Sequence, residues 1–422
     1  MSSPYDAAAL RQVAVLAYHS SPLAEPGAGD AGGMTVYVRK VAEALATRGI
    51  RSDIFTRATE LSRPVTELYP GVRVVAIAAG PPVPLSKDEL RTYIGGFASG
   101  VGAFGDGVAR GYDVVHSHYW QSGLAGAQVA RAWDVPFVHS QHTLARVKNR
   151  FLAPGDAPEP QSRIEGETEV VASADVLIAS TDDERRQLAT LYDVPQDRLK
   201  VVHPGVDRAM FNPHGRDAAR AALGLRDEAM IVYVGRIQPL KGLELGIRAV
   251  EELAGGLDRP VVFYVVGGVS GSSGARELTR LRALADSLGV SPNVRFAGPT
   301  EHTAVPDFYR AADVCVVCSY SESFGLAALE AHACGTPVVG TAVGGLSHIV
   351  HDGESGWLVG SRDPRVFAGR LARLLRDPEL WRRFSARASE AVAPFSWEAT
   401  ATGLLDLYDC LVREDQPQLC TG

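Results

Sequence analysis

The chain is short of cysteine, of excess basic charge and of long apolar runs, and each shortage removes a class of protein. Five cysteines among 422 residues do not read as a disulfide framework. Cys315 and Cys318 form a CxxC, but no second Cys or His pair stands at zinc-finger spacing. They lie in the apolar run Ala-Asp-Val-Cys-Val-Val-Cys-Ser, which suits buried packing and a reducing cytosol. Net charge is −7, so no global basic field invites nucleic acid. No run approaches the roughly 18 apolar residues of a membrane span. The opening MSSPYDAAALRQVAVLAYHS has no basic stretch ahead of a long apolar core. A soluble, cytoplasmic protein is therefore expected. A Gly-x-Ser-x-Gly elbow is missing, which disfavours an α/β-hydrolase. No Gly-Lys-Ser/Thr follows a glycine loop, so there is no Walker A motif.

What is present is ordinary globular material, 46% hydrophobic and 22% charged, in a chain long enough for two domains. Short β-branched runs alternate with helical patterns. VAVLAYH (13–19), RSDIFTR, VRVVAIA, YDVVHSH, PFVHSQH and DVLIAST read as strands in the first half. MIVYVGR, VVFYVVGG, VRFAGP, DVCVVCS and TPVVGT read as strands in the second. Val36 to Arg48 has helical apolar spacing and ends at Gly49. Continuous apolar strands separated by helices are the mark of buried parallel sheets. The expected fold is α/β, two Rossmann-like domains facing a cleft, with ligands at the strand C-termini. The rhythm pauses at VVHPGVDRAMFNPHGR, 201–216, which reads as the linker. Expected boundaries are 1–205, 206–395, and a C-terminal helix at 396–422 returning to the first domain.

Several segments invite chemistry. In Glu322-Ser323-Phe324-Gly325-Leu326 through Glu330, a loop feeds a helix that starts near Leu326. Its free amides would face an anion, and Glu330 could accept from sugar hydroxyls. Helix-dipole preference alone also favours a glutamate there. Gly235-Arg236 and Lys241 follow the first strand of the second half; a guanidinium fork and an ammonium suit a diphosphate. Gly27-Ala28-Gly29-Asp30-Ala31-Gly32-Gly33 follows the first strand of all, and reads either as a phosphate-approaching loop or as a flexible turn. His116, His118, His139 and His142 cluster at two strand ends. Metal binding is one reading; hydrogen bonding to hydroxylated ligands or to the interior is the other. Lys87, Lys148, Arg150 and Arg163, each taken alone, read as solvated surface residues.

Together these residues resemble the retaining GT-B glycosyltransferases over roughly residues 12 to 410. VGRIQPLKG and SYSESFGLAALEAHACGTPVVGTAVGGL carry the resemblance in the second half. HSSPLAEPGAGDAGGMTVYV, FTRAT, LSKDEL, HSHYWQSG, QHTLARVKN and VVHPGVD carry it in the first. There the chain is similar to the mycothiol-pathway enzymes that join N-acetylglucosamine to inositol 3-phosphate. The resemblance implies that Arg236 and Lys241 hold the donor diphosphate beside the Gly33 backbone. Glu330 would hold the ribose, and Glu322, Phe324, Gly325 and Leu326 the donor sugar, with His142 beside its C6 hydroxyl. Lys87, Tyr119, Thr143 and Arg163 fall where the acceptor phosphate binds, and His19 and Thr35 belong to the same acceptor end. Two positions depart from those enzymes: Thr35 stands where they carry an asparagine that contacts inositol, and His-Ser-Gln precedes His142 instead of His-Thr-Ala.

The resemblance implies a nucleotide-sugar donor as co-substrate, a small polar anionic acceptor, no required cofactor or metal, and a possible homodimer. Relatives in aminoglycoside and lincosamide antibiotic pathways glycosylate other small acceptors and form the alternative. A two-domain nucleotide-sugar epimerase would use a similar cleft but needs no acceptor. A periplasmic-type binding protein would need an export signal.

Overall fold

The computed structural model describes residues 10–25, 27, 31–109, 111–270, 274–413, 420 and 421. Within the glycine-rich segment, Ala28, Gly29 and Asp30 lie outside the described residues.

The first half forms one eight-stranded sheet. Its strands are β1 (Gln12–Leu16), β2 (Arg51–Arg57), β3 (Val65–Tyr69), β4 (Val72–Ile77), β5 (Val114–His118), β6 (Phe137–Ser140), β7 (Val176–Ala179) and β8 (Leu199–Val201). They run in the order β3-β4-β2-β1-β5-β6-β7-β8. Every pair is parallel except β3 with β4. The second half forms a six-stranded parallel sheet from β9 (Ala229–Val234), β10 (Val261–Val266), β11 (Val294–Gly298), β12 (Val314–Val317), β13 (Val338–Thr341) and β14 (Gly356–Val359). Its order is β11-β10-β9-β12-β13-β14.

Each sheet has a core on both faces, which is why most of its strands are apolar in their buried stretches, although β2, β5 and β6 also bury polar side chains. Along β1, Val13 and Val15 enter one core while Ala14 and Leu16 enter the other. Along β9, Ala229, Ile231 and Tyr233 part in the same way from Met230 and Val232. Alternation by two survives as a choice of core, not as a choice between core and water.

In each sheet the strand order reverses at one point, beside β1 in the first and β9 in the second. The loops leaving those two strands therefore diverge from their neighbours and leave a crevice at the C-terminal edge. The chain between the sheets, residues 202–215, is irregular. It crosses the returning segment, with the Val206 amide bonded to the Phe395 carbonyl at 3.2 Å. A Cβ on Gly205 would lie 2.3 Å from the Ser396 carbonyl carbon, so only glycine lets the two crossings pass. The helix Trp397–Arg413 then packs on the first sheet's core beside the helix Gly33–Ala46. Among the described residues no helix is long and apolar enough to cross a membrane.

The cysteine reading needs correction at one pair. Cys315, Cys318 and Cys334 are free and buried, but Cys410 and Cys420 are disulfide-bonded. The Cys420 side chain joins the core beneath the last helix. A single bridge made by a returning tail leaves no spacing pattern to read.

Candidate active site between the two sheets

The two C-terminal edges face each other across a cleft of about 700 Å³. The wall from the second sheet begins at Arg236, just beyond β9. Its main-chain carbonyl accepts from the Tyr233 hydroxyl at 2.9 Å, and its guanidinium donates to Ser270 Oγ at 3.1 Å. Lys241 sits on a short 3-10 turn, Pro239–Lys241, and its ammonium meets the Glu322 carboxylate at 2.7 Å. Phe324 and Gly325 lead into the helix Leu326–Ala333, close to the expected start. The amides of Ala328 and Leu329 close onto the Gly325 carbonyl, and the first amides of a helix have no acceptor within it. That end lines the cleft. One turn later Glu330 accepts from the Tyr309 hydroxyl at 3.2 Å and lies 3.3 Å from His302 Nε2.

The glycine pair explains how closely the halves meet. A Cβ on Gly32 would come within 3.3 Å of the Arg236 guanidinium, and one on Gly33 within 2.9 Å of Leu326 Cδ1. Backbone with no side chain is what allows the start of the first helix to lie against the second sheet's wall.

The wall from the first sheet collects residues far apart in sequence. His19 follows β1, Lys87 opens a short helix behind a Ser86–Glu89 capping box, and Tyr119 ends β5. His142 and Thr143 follow β6, and Arg163 lies on the helix Gln161–Ser173; all six line the cleft. Tyr119 and His142 have φ of +74° and +62°, sparsely populated for such residues and concentrated at functional sites in general. The Tyr119 ring lies beneath two cations, 5.7 Å from the Lys87 ammonium and 5.1 Å from the Arg163 guanidinium. Arg163 donates to Glu167 at 2.8 Å and to Thr143 Oγ1 at 2.9 Å. With a side chain only 5% exposed, Arg163 is no solvated surface residue, and Lys148 likewise lies in the cleft wall.

The histidines are interior groups. His116 bonds Tyr408 and Ser140, His139 bonds Ser117, and His118 Nδ1 lies 2.9 Å from His142 Nε2. Burial pushes His142 down to about 4 and His139 to about 3. His19 falls well below the ordinary value through burial, reinforced by Lys87 and Arg236. All three are neutral at pH 7. Among the described residues no group of His, Cys, Asp and Glu is arranged to hold a metal ion.

Thr35 departs from its expected place. Its side chain is buried, and Oγ1 lies 3.2 Å from Ser20 Oγ; it is not part of the cleft wall among the described residues. The reason is helical periodicity: Thr35, Val38 and Ala42 fall on the buried face of their helix.

With this geometry in view, likeness to known proteins becomes informative. Residues 215–391 match the family described as glycosyl transferases group 1, and residues 32–205 match the glycosyl transferase 4-like domain. The D-inositol 3-phosphate glycosyltransferase of Acidothermus cellulolyticus is 48% identical over 94% of this chain and 90% of its own. D-inositol 3-phosphate glycosyltransferase 2 of Catenulispora acidiphila is 47% identical over 98% and 99%.

The chain belongs to the group 1 glycosyltransferases of GT-B fold.

Among solved structures, the sucrose-phosphate synthase from Thermosynechococcus elongatus superposes with a TM-score of 0.88 at 32% identity, covering 95% of this chain and 99% of that one. Anabaena HepE in complex with UDP and glucose gives 0.74 at 18% identity, covering 93% and 98%, and shows the shared fold. A nucleotide-sugar glycosyltransferase needs a donor and an acceptor in one cleft, and here one cleft joins the two walls.

Sequence reasoning did not find the residues that orient this machinery. Tyr309 and His302 grip Glu330, Ser270 holds Arg236, and His118 stands behind His142. Ser270 lies in a Gly- and Ser-rich stretch after a strand, a signal that went unused. Tyr309 and His302 carry no local signal, because their partner is reached only through packing.

Proposed function

We propose that this glycosyltransferase is a retaining enzyme that moves N-acetylglucosamine from UDP-N-acetylglucosamine to D-inositol 3-phosphate. The observation that carries the reading is a single cleft with cations at both ends: Arg236 and Lys241 on one wall, Lys87 and Arg163 on the other. A donor diphosphate and an acceptor phosphate can then lie across one gap. The names and near full-length similarity of the relatives support the acceptor.

In this reading the diphosphate lies between Arg236, Lys241 and the Gly32–Gly33 backbone. The amides opening the helix at Leu326 face the donor, and Glu330 accepts from the ribose hydroxyls. As the bond to the anomeric carbon breaks, negative charge grows on the leaving diphosphate, and fixed cations stabilise it most at that moment. The two glutamates on the second sheet's wall are engaged, Glu322 by Lys241 and Glu330 by Tyr309 and His302. Neither is offered as a nucleophile. The acceptor hydroxyl approaches from the face the nucleotide leaves, and the departing phosphate oxygen takes its proton. Neutral His142 contributes a hydrogen bond, not charge. Positioning and leaving-group stabilisation carry the rate.

The test is a panel of UDP-, GDP- and ADP-sugars, each with and without D-inositol 3-phosphate, with the product anomer read by NMR. Transfer from UDP-N-acetylglucosamine with an α-linked product is expected. An inverted product removes retention, and donor hydrolysis that inositol 3-phosphate never diverts into transfer removes the acceptor. Thr35 favours a second reading, in which an antibiotic-pathway acceptor replaces the cyclitol phosphate. Thr35 stands between Met34 and Val36 of the cleft wall, and its hydroxyl lies 3.2 Å from Ser20 Oγ. If that reading holds, Thr35→Asn gains transfer to inositol 3-phosphate while the wild type performs it poorly.

A further inference from the structure

The cationic end of the cleft already contains a carboxylate. Residues 151–160 join the helix Ala145–Arg150 to the helix Gln161–Ser173, and Asp156 and Glu159 in this connection line the cleft. Glu159 Oε2 lies 2.9 Å from the Arg163 guanidinium, and Oε1 bonds the Lys148 ammonium. The backbone beneath it is fixed: the Glu159 amide donates to Asn149 Oδ1 at 2.7 Å, and Asn149 Nδ2 donates back to the Glu159 carbonyl at 3.4 Å. Prolines at 158 and 160 flank it and restrict the chain on both sides. Glu159 is thus held as a probe pointing at two cations.

Arg163 does not need this second carboxylate for its own neutralisation. Glu167, fully buried and away from the cleft, is already bound to Arg163 Nε at 2.8 Å. Glu159 is the partner on the cleft side. Lys148 is in the opposite position. Burial, then the fields of Arg163 and Lys87, lower it to about 7, with Asp156 opposing and Arg236 adding to the fall. An ammonium so placed keeps its charge best when an anion sits against it.

We propose that Glu159 holds the place of the acceptor's anionic group, and that Lys148 is a third acceptor-binding cation that exchanges Glu159 for that group. The inference rests on the proposed function only in requiring an anionic acceptor. It adds a rule of selection. A carboxylate acceptor merely matches the resident carboxylate, whereas a dianionic phosphate or sulfate outbids it for Lys148 and Arg163. The enzyme therefore prefers a dianion to a monoanion, and neutral cyclitols cannot open the contact.

The experiment uses the full chain and inorganic sulfate, which stays dianionic across the working pH range. Sulfate binding is measured by calorimetry at pH 7, with acetate for comparison. UDP binding reports that each variant is folded. Lys148→Gln should weaken sulfate about tenfold, the scale of one charge-assisted contact, and Lys148→Arg should restore the affinity. Glu159→Gln should tighten sulfate several-fold and narrow its advantage over acetate. Equal sulfate affinity in wild type and Lys148→Gln, or weaker binding in a folded Glu159→Gln, overturns the proposal. If the sulfate pattern holds but no donor supports transfer to inositol 3-phosphate, the proposed function fails and this inference stands.

Discussion

The two ends of the cleft are built in opposite ways. At the Arg236 end, the charged residues come from a few short segments of one sheet, and their ion pairs stay partly open to solvent. Lys241 and Glu322 retain 21% and 17% side-chain exposure. At the Arg163 end, the groups come from five separated segments, and the central pair is sealed: Arg163 keeps 5% and Glu167 none. A partly solvated pair can exchange partners at small cost when a ligand arrives. A sealed pair cannot, because either charge left alone in the interior is heavily penalised. The first end is therefore arranged to exchange partners, while at the second only the outer Lys148–Glu159 pair, at 26% and 19% exposure, is open to exchange. The second combines binding with holding the first domain together.

Substitutions test this contrast most strongly at Arg163. Arg163→Ala leaves Glu167 buried without its cation, so stability should fall by about 3–5 kcal/mol, read as a shift in the denaturation midpoint. A folded, stable Arg163→Ala protein with only a raised acceptor KM would erase the distinction. At the other end, Arg236→Ala or Lys241→Ala should leave the midpoint near wild type and reduce kcat by about 10²–10³-fold at saturating donor. Turnover at the wild-type rate in either variant would remove those cations from the leaving-group role.

Acid separates the ends next. Burial lowers five histidines in the first half, His19, His116, His118, His139 and His142, against His332, pushed down to about 3, and His348 in the second. Between the ordinary value of 6.5 and folded values such as about 4 for His142 and about 3 for His139, the unfolded chain binds more protons than the folded one. Stability is then complete above pH 6.5 and falls as pH drops through that window. By pH 5 the loss is about 2 kcal/mol for each such histidine. Hydrogen exchange at pH 5 should show β5 and β6 opening before β9 and β12. The reverse order would show that these histidines do not set the acid limit. The smallest effect is expected at Glu330, where Glu330→Gln keeps the shape and weakens the charge-assisted contact. UDP affinity should fall about tenfold by calorimetry, and unchanged affinity would leave Glu330 with a helix-dipole role alone.

The same contrast explains what could be read before the fold was known. RSDIFTR spans β2 end to end although only Ile54 and Phe55 at its centre are apolar, and the other anticipated strands overlap observed ones through the apolar runs that burial on both faces requires. Three strands gave no such signal. β3 is an exposed antiparallel edge carrying Glu67, β8 has three residues centred on Lys200, and β14 opens on Gly356. The Arg236 end was legible because a strand end, its loop and the next helix start are contiguous in sequence. The Arg163 end was legible only through resemblance to a family.

By itself, then, the sequence determined two largely parallel α/β sheets and the loops that leave each sheet's central strand. Those features follow from local periodicity and from glycine, which are properties of neighbouring residues. Tertiary structure alone decided which side chains meet. It turned Thr35 toward Ser20, joined Cys410 to Cys420, sealed Arg163 against Glu167, and set Glu159 upon Lys148. These partners stand only 15, 10, 4 and 11 positions apart, but whether they meet depends on how the chain turns and how deeply each group is buried, and charge and hydroxyl groups take their chemistry from those surroundings.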